Sequence, residues 1–183
     1  RKILGFGVSP TSIGISNNFR YKNFNMSVLV EGKYGGQMFS GTNAMAKYFG
    51  AHKATIDADG RENGFTVSGV DASGAAFTTS IAPARIEDYW RRTYEIAEES
   101  VYDADYLRLR QMSIGYNIPR DLLENTFIKN ASISLIGRNL FFLSNSVENV
   151  DPESGYNVSN SQGLEWFGMP IPRTIGMNVN LKF

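Results

Sequence analysis

The sequence predicts an all-β protein whose antiparallel strands form part of a β-barrel in a membrane. Apolar and polar residues alternate with a period of two in several segments, as in strands with one apolar and one polar face. The connections between these segments are alternately short and long, which is typical of a membrane barrel with turns at one rim and loops at the other. The longest apolar runs, such as 140–143, have about four residues, whereas a membrane-spanning helix needs about 20.

The clearest strands lie near the two ends of the chain. Every second residue from 175 to 183 is apolar, and 24–34 follows the same pattern with one exception. In segment 12–20, just before segment 24–34, apolar and polar residues also alternate. Only a few polar residues around Lys22 and Asn23 separate the two segments. The sequence therefore predicts a hairpin closed by a tight turn.

Two further strands are predicted in between, each with a break in its alternation. In 104–118 the apolar residues change parity near Arg110 and Gln111, which predicts a β-bulge. In 130–142 the alternation begins regularly and loses its phase at Ile136.

The lengths of the connections assign each of them to one side of the membrane. The short turns around Lys22 and at 119–129, together with the C-terminus, are predicted at the periplasmic rim, and the long loops 35–103 and 143–170 at the cell exterior. Aromatic residues at both ends of the second strand suit a membrane interface, and strand aromatics of a soluble core would look the same; they are Tyr21, Phe24, Tyr34 and Phe39. The predicted strands are too few to close a barrel, because membrane barrels have at least about eight strands, so we expect a part of a larger barrel.

Composition excludes several other classes of protein. Lys and Arg number 18 and Asp and Glu also number 18, so the chain lacks the basic field of a nucleic-acid binder, and no nucleic-acid partner is expected. With no Cys and a single His, His52, it has too few ligands for a thiolate or imidazole metal site and few parts for nucleophilic catalysis. We expect no metal, no cofactor and no enzymatic activity.

Four groups of residues carry a resemblance to a known family. Segment 102–119 reads YDADYLRLRQMSIGYNIP, 18–24 reads NFRYKNF, 137–141 reads GRNLF with DPE at 151–153, and 172–183 reads PRTIGMNVNLKF. In this order they resemble the motifs of the SusC/RagA family, the TonB-linked outer-membrane transporters of Bacteroidetes. Asp105 stands where the common form of the first motif has Ser.

The resemblance implies a fold, a function and partners. Residues 1–183 would be the C-terminal part of a 22-stranded barrel with a long, partly helical extracellular loop, and the plug domain would lie outside this segment. The whole receptor would import oligosaccharides or peptides across the bacterial outer membrane, driven by TonB through the absent N-terminal part, with a SusD-like surface lipoprotein as a lid. Phe183 would be the signal read by the barrel-assembly machinery, although a terminal Phe that only packs or anchors at the interface is the alternative.

Candidate site residues follow from the alternation and from the loops. One set of polar strand residues is predicted to face the lumen, opposite the lipid bilayer: Ser16, Asn18, Ser27, Glu31, Lys33, Asn178 and Asn180. In loop 35–103 a helix is predicted after Pro83, with Ile86, Tyr89 and Trp90 on one face. Four loop aromatics are candidates for contact with substrate or lid, with small loop cores as the alternative: Trp90, Tyr94, Trp166 and Phe167.

Two other classes of protein stay open at this point. A soluble secreted β-sandwich that binds glycans would show the same alternation, but its apolar faces would cover one another. An extracellular hydrolase could use paired carboxylates on the first long loop, such as Glu98, Glu99, Asp103 and Asp105, although acidic residues on an exposed loop are usually solvated. The exposure of the apolar strand faces distinguishes the two folds, because a sandwich buries these faces and a membrane barrel leaves them open to lipid.

Overall fold

The computed structural model describes residues 3–56, 60–155 and 162–183. Its strands are β1 Thr11–Tyr21, β2 Phe24–Tyr34, β3 Gln37–Ser40, β4 Phe65–Val70, β5 Ala76–Ile81, β6 Val101–Asp103, β7 Tyr106–Asn117, β8 Asn130–Asn145, β9 Leu164–Glu165 and β10 Thr174–Lys182. Its helices are α1 Gly41–Tyr48, α2 Gly60–Asn63 and α3 Ile86–Thr93.

The main sheet is an antiparallel meander in the order β1, β2, β7, β8, β10. These are the five strands that the alternation predicts. Tyr21 pairs with Phe24, so the predicted tight turn at Lys22 and Asn23 is confirmed, and Lys22 adopts the positive φ of 52° that two-residue hairpin turns favour. Strands β1 and β10 form the two edges of this sheet within the described part of the chain.

The predicted bulge lies in β7 at Arg110. Leu29 of β2 pairs with Gln111 and the next residue, Val30, pairs with Leu109, so Arg110 has no partner on that side. The pairing of β7 with β8 shifts at the same place. One extra residue in an antiparallel strand changes the parity of all the following side chains, which is the change seen in the sequence.

The register places most of the apolar residues of the five strands on one face of the main sheet, whereas Leu29, Ile136 and Phe142 lie on the other face. One row crosses the sheet through Phe19, Met26, Ile114, Leu135 and Met177. This face is open: Leu135 is 59% and Met177 66% exposed. A β-sandwich would bury such a row under a second sheet, whereas a membrane barrel presents it to lipid.

The long connection between β2 and β7 contains strands and helices of its own. Strand β3 pairs with β6 in antiparallel and with β9 in parallel orientation, and α1 follows β3 directly. Strands β4 and β5 form a separate hairpin. The sequence analysis did not predict these small sheets or α1. Its placement of Phe39 at the end of the second strand is wrong, because β2 ends at Tyr34 and Phe39 lies in β3.

The helix predicted after Pro83 is confirmed as α3. A 3-10 turn at Pro83–Arg85 precedes it, and Ile86 is buried at its start. Tyr89 and Trp90 contact the ring of Phe65, with centroid distances of 5.0 and 6.0 Å. Within the described residues, no helix is both long and apolar enough to span a membrane.

Candidate functional site

The seven residues predicted to face the lumen share one face of the main sheet. Asn18 pairs with Ser27, Lys33 with Ser12 and Asn178 with Ser134, always on the side opposite the apolar rows. Glu31, Ser16 and Asn180 occupy equivalent positions in the register. Their contact with a lumen stays a prediction, but the pairing gives them the common face that such a role requires.

A buried ion network lies on this polar face, at the end of the sheet that carries the long connections. The Arg108 side chain is only 3% exposed. Its guanidinium donates to Asp151 Oδ2 and to Glu153 Oε2, each at 2.7 Å. The ring of Phe142 covers it, with the guanidinium carbon 4.0 Å from the ring centroid. Arg108 therefore holds the second long loop against the sheet.

The bulge residue Arg110 extends the network. Its guanidinium donates to Glu31 at 2.6 Å, to Glu153 at 2.8 Å and to the side-chain oxygen of Asn139 at 2.9 Å. Tyr106 adds a hydroxyl that donates to Glu153 at 2.7 Å. Because Tyr106, Arg108 and Arg110 are alternate residues of β7, the YLRLR motif presents all three to the same face.

Glu153 is ionised at neutral pH in this network. Burial raises its pKa, but the hydrogen bonds from Arg110 and Tyr106 and the charges of the two arginines outweigh burial. The pKa of Glu153 thus lies below its ordinary value of 4.5. Asp151 accepts the backbone N–H of Glu153 at 3.0 Å and that of Ile171 at 3.2 Å, so the same carboxylate also fixes the path of the loop.

The network is not among the predicted sites, although both motifs that build it, YLRLR and DPE, stand out in the sequence as marks of a family. The available signal was that Arg108 and Arg110 are in phase with the polar face, while Asp151 and Glu153 offer opposite charges on a long loop. That the loop folds back onto the sheet cannot be read from these residues.

A second buried carboxylate joins the two long loops. Glu165 in β9 is fully buried, at 0% exposure, and its oxygens accept four hydrogen bonds from described residues. The hydroxyls of Ser40 and Thr42 donate at 2.7 and 2.5 Å. The backbone N–H groups of Thr42 and Gly168 donate at 3.4 and 3.0 Å. Ser40 also caps α1 by accepting from the N–H of Asn43 at 3.1 Å, so Glu165 lies at the N-terminus of α1, where the helix dipole favours a negative charge.

The structure divides the four candidate loop aromatics between two clusters. Trp90 in α3 packs against Tyr89 at 5.2 Å, and Tyr94, directly after α3, contacts Tyr48 at 5.4 Å. Trp166 lies 6.0 Å from Phe167 and stacks against Phe39. Trp166 and Phe167 keep 44% and 61% exposure. Contact of these rings with substrate or lid stays a prediction.

The remaining candidates lie away from the network. The ring of Phe183 stacks on Phe127 with centroids 5.6 Å apart, at the rim that carries the short turns. Glu98 and Glu99 lie in the 3-10 turn Ala97–Ser100. Asp103 accepts from the side-chain amide of Gln37 at 3.3 Å and Asp105 from the N–H of Gly35 at 2.6 Å, so both carboxylates fix the first long loop.

The sheet and its polar face define a class: a section of the wall of a membrane-spanning β-barrel, with folded loops at one rim. Sequence comparison gives the particular relatives. The chain is 30% identical, over its whole length, to TonB-dependent receptor P3 of Formosa agariphila, and 26% identical over 99% of its length to TonB-dependent receptor P26 of the same organism. It spans only 17% and 18% of these two relatives. No model of a protein family matches the chain.

Solved structures agree on the fold. The chain superposes on the RagAB peptide transporter with a TM-score of 0.67 at 16% identity, covering 99% of this chain and 18% of that one. For the RagAB peptide importer in its 'open-open' state the TM-score is 0.63 at 17% identity, with 96% of this chain and 17% of that one covered. The predicted resemblance to TonB-dependent receptors is confirmed, and with it the predicted location in the bacterial outer membrane.

Proposed function

We propose that this chain forms the wall, the rim and part of the outer vestibule of a TonB-dependent importer in the outer membrane. Its role there is passive: apolar strand faces contact lipid, polar faces border the lumen, and the loops 35–103 and 143–170 form part of the outer entrance. The relatives are receptors and transporters, and we assign no catalytic step to the chain.

The open apolar face of the main sheet is the single observation that carries this proposal. An apolar row that crosses five strands and stays exposed would be a liability in water, whereas a bilayer covers it. The opposite face is polar and carries the ion network that fixes a loop. This two-sided pattern also argues against a soluble glycan-binding sandwich, whose apolar faces would be covered.

The finer parts of the proposal come from the sequence resemblance. The receptor would have 22 strands and import peptides or oligosaccharides, with a SusD-like lipoprotein as its lid. TonB would act through a part of the receptor outside this chain, and the barrel-assembly machinery would recognise Phe183. The structural neighbours support a peptide cargo, since they are described as a peptide transporter and a peptide importer.

A pair of neighbouring substitutions in β2 of the full-length receptor tests the membrane orientation. Val28 lies on the apolar face and Ser27 on the polar face. We expect Val28→Arg to lower the amount of folded receptor in the outer membrane strongly, because Arg facing lipid near mid-membrane costs about 2–4 kcal/mol. Ser27→Arg is the matched control and should accumulate normally. The readout is heat-dependent gel mobility of the outer-membrane fraction, and equal accumulation of the two variants would contradict the proposal.

Uptake by whole cells tests the transport activity. Cells that express the full-length receptor should take up a labelled peptide or oligosaccharide mixture only when TonB is present. Uptake that is unchanged without TonB would contradict an active importer, whatever the result of the orientation test.

A further inference from the structure

The two rims of the main sheet carry opposite charges. Loops 35–103 and 143–170 together contain six Lys or Arg and 14 Asp or Glu, so the rim with the long loops is acidic. The short turns and the end of β10 reverse this balance, with four Lys or Arg against two Asp or Glu. An anionic surface is therefore attracted to the rim with the short turns and repelled by the long loops. The four cations of the short-turn rim are Lys22, Arg120, Lys129 and Lys182.

A row of three aromatic residues lies at the short-turn rim, on the apolar face of the main sheet. Tyr21 of β1 pairs with Phe24 of β2, and Phe24 pairs with Tyr116 of β7. The rings of Phe24 and Tyr116 are in contact, with centroids 4.7 Å apart. Tyr21 and Phe24 are 72% and 55% exposed. Aromatic rings at the end of an apolar strand face suit the depth at which acyl chains meet headgroups.

Lys22 places a cation beside this aromatic row. Its Nζ lies 5.6 Å from the centroid of the Tyr21 ring, so the charge lies next to a ring of the apolar face. The Lys22 side chain makes no hydrogen bond or ion pair with the described residues, and the hydroxyl of Tyr116 has no partner among them either. The edge of the apolar face thus offers an ammonium group and a hydroxyl donor.

An apolar groove of about 210 Å³ adjoins the aromatic row on the side away from the rim. Between its two walls, Ser134 directs its side chain to the polar face and Gly115 has none, so backbone forms the floor. The groove has almost no polar surface, as suits an acyl chain. The walls are side chains of two neighbouring rows of the register, namely Phe24, Tyr116 and Ile133 near the rim and Ile114, Leu135 and Met177 further from it.

We propose that this surface binds one anionic phospholipid of the periplasmic leaflet, with its phosphate at Lys22, its glycerol esters at the Tyr116 hydroxyl and an acyl chain in the groove. From the rim inwards, the surface offers a cation, a hydroxyl donor and an apolar groove. This is the order in which a phospholipid presents its charge, its ester oxygens and its chain. The inference rests on the proposed function, because this face meets lipid only in the wall of a membrane barrel. It adds a specific lipid partner to the general contact with the bilayer.

Lipid binding to the purified full-length receptor in detergent tests the inference, with native mass spectrometry as the readout. The probes are dioleoyl phosphatidylglycerol, dioleoyl phosphatidylcholine with the same chains and no net charge, and glycerophosphate without chains. Phosphatidylglycerol should bind about 5-fold more tightly than phosphatidylcholine, as expected for one lysine beside an anionic headgroup. Glycerophosphate should not displace it, because the groove holds the chain.

Variants of Lys22 test the contact with the headgroup. Lys22→Gln should remove the preference for phosphatidylglycerol over phosphatidylcholine, and Lys22→Arg should keep it. Lys53→Gln changes an exposed lysine of the first long loop and is the matched control. It should bind both lipids like the wild type.

Variants of the apolar face test the groove. Leu135→Trp places a large apolar ring in the groove, so it should weaken both phospholipids several-fold and leave their ratio unchanged. Ile15→Trp is the matched control, since Ile15 is exposed on the same face and lies outside the groove. It should keep the binding of the wild type. Heat-dependent gel mobility checks that each variant is folded.

Any of the following results would overturn the inference: equal binding of the two phospholipids, a preference that survives Lys22→Gln, displacement by glycerophosphate, or normal binding by Leu135→Trp. These failures leave the proposed function intact if Val28→Arg still lowers the amount of folded receptor and uptake still depends on TonB. Conversely, a lipid preference that Lys22→Gln removes, in a receptor whose uptake is independent of TonB, would support the lipid site and contradict the importer.

Discussion

The second long loop is anchored by buried carboxylates at two places, and the two anchors differ in what surrounds the charge. At the main sheet, Asp151 and Glu153 face the guanidinium groups of Arg108 and Arg110. At the small outer sheet, the partners of Glu165 among the described residues are hydroxyls and backbone N–H groups. All three carboxylates are satisfied, but only the first anchor depends on buried opposite charges.

The comparison shows how differently the two anchors should respond to change. An ion pair that is shielded from water loses most when one partner is removed, because the other charge stays buried without compensation. A carboxylate held by four neutral donors shares its stabilisation among them, so the loss of one interaction is milder. Removal of one partner should therefore cost more at the barrel wall than at the outer loops.

Arg108→Met should produce the largest effect. The side chain keeps much of its volume, but Asp151 loses its buried ion-pair partner and Glu153 keeps only Arg110, at a cost of about 3–5 kcal/mol. Hydrogen exchange of the amides in 147–155 of the full-length receptor should accelerate at least about 100-fold. Arg138→Met is the matched control on the same face, since Arg138 is exposed and makes no ion pair with the described residues. Equal exchange in the two variants would contradict a charge-dependent anchor.

Glu165→Gln should have an intermediate effect. The amide keeps the size of the side chain, but its N–H₂ group faces donors where the carboxylate accepted, and the negative charge at the N-terminus of α1 is lost. We expect a cost of about 1–3 kcal/mol, seen as faster exchange of the first amides of α1. Glu148→Gln, an exposed acid on the same loop, should leave this exchange unchanged. If Glu165→Gln accelerated exchange more than Arg108→Met, the comparison between the anchors would be reversed.

The sequence predicts the sheet well because each strand carries its own evidence. Alternation, a tight turn and one change of parity are local features, and together they give the five strands and the bulge at Arg110. The same alternation gives the common face of Lys33 and Asn178, because register follows from it. Each of these features can be recognised from neighbouring residues alone.

The sites depend on contacts between distant residues, and the sequence could not supply these. Arg108 and Asp151, or Ser40 and Glu165, are brought together only by the way the loops fold back. β3 and β9 have four and two residues, too short for a period of two to stand out.

Acid should weaken the first anchor, with the smallest of the three effects. Because the pKa of Glu153 in the folded chain lies below its ordinary value of 4.5, the ionised form is favoured by the fold. Its contribution is therefore complete above about pH 4.5 and is lost as the pH falls through the lowered pKa. Exchange in 147–155, corrected for the intrinsic effect of pH, should accelerate only below this range. Glu153→Gln should be faster at neutral pH and lose this acid response, whereas Glu148→Gln should retain it. An acid response that is unchanged in Glu153→Gln would mean that a group other than Glu153 controls the pH dependence of this anchor.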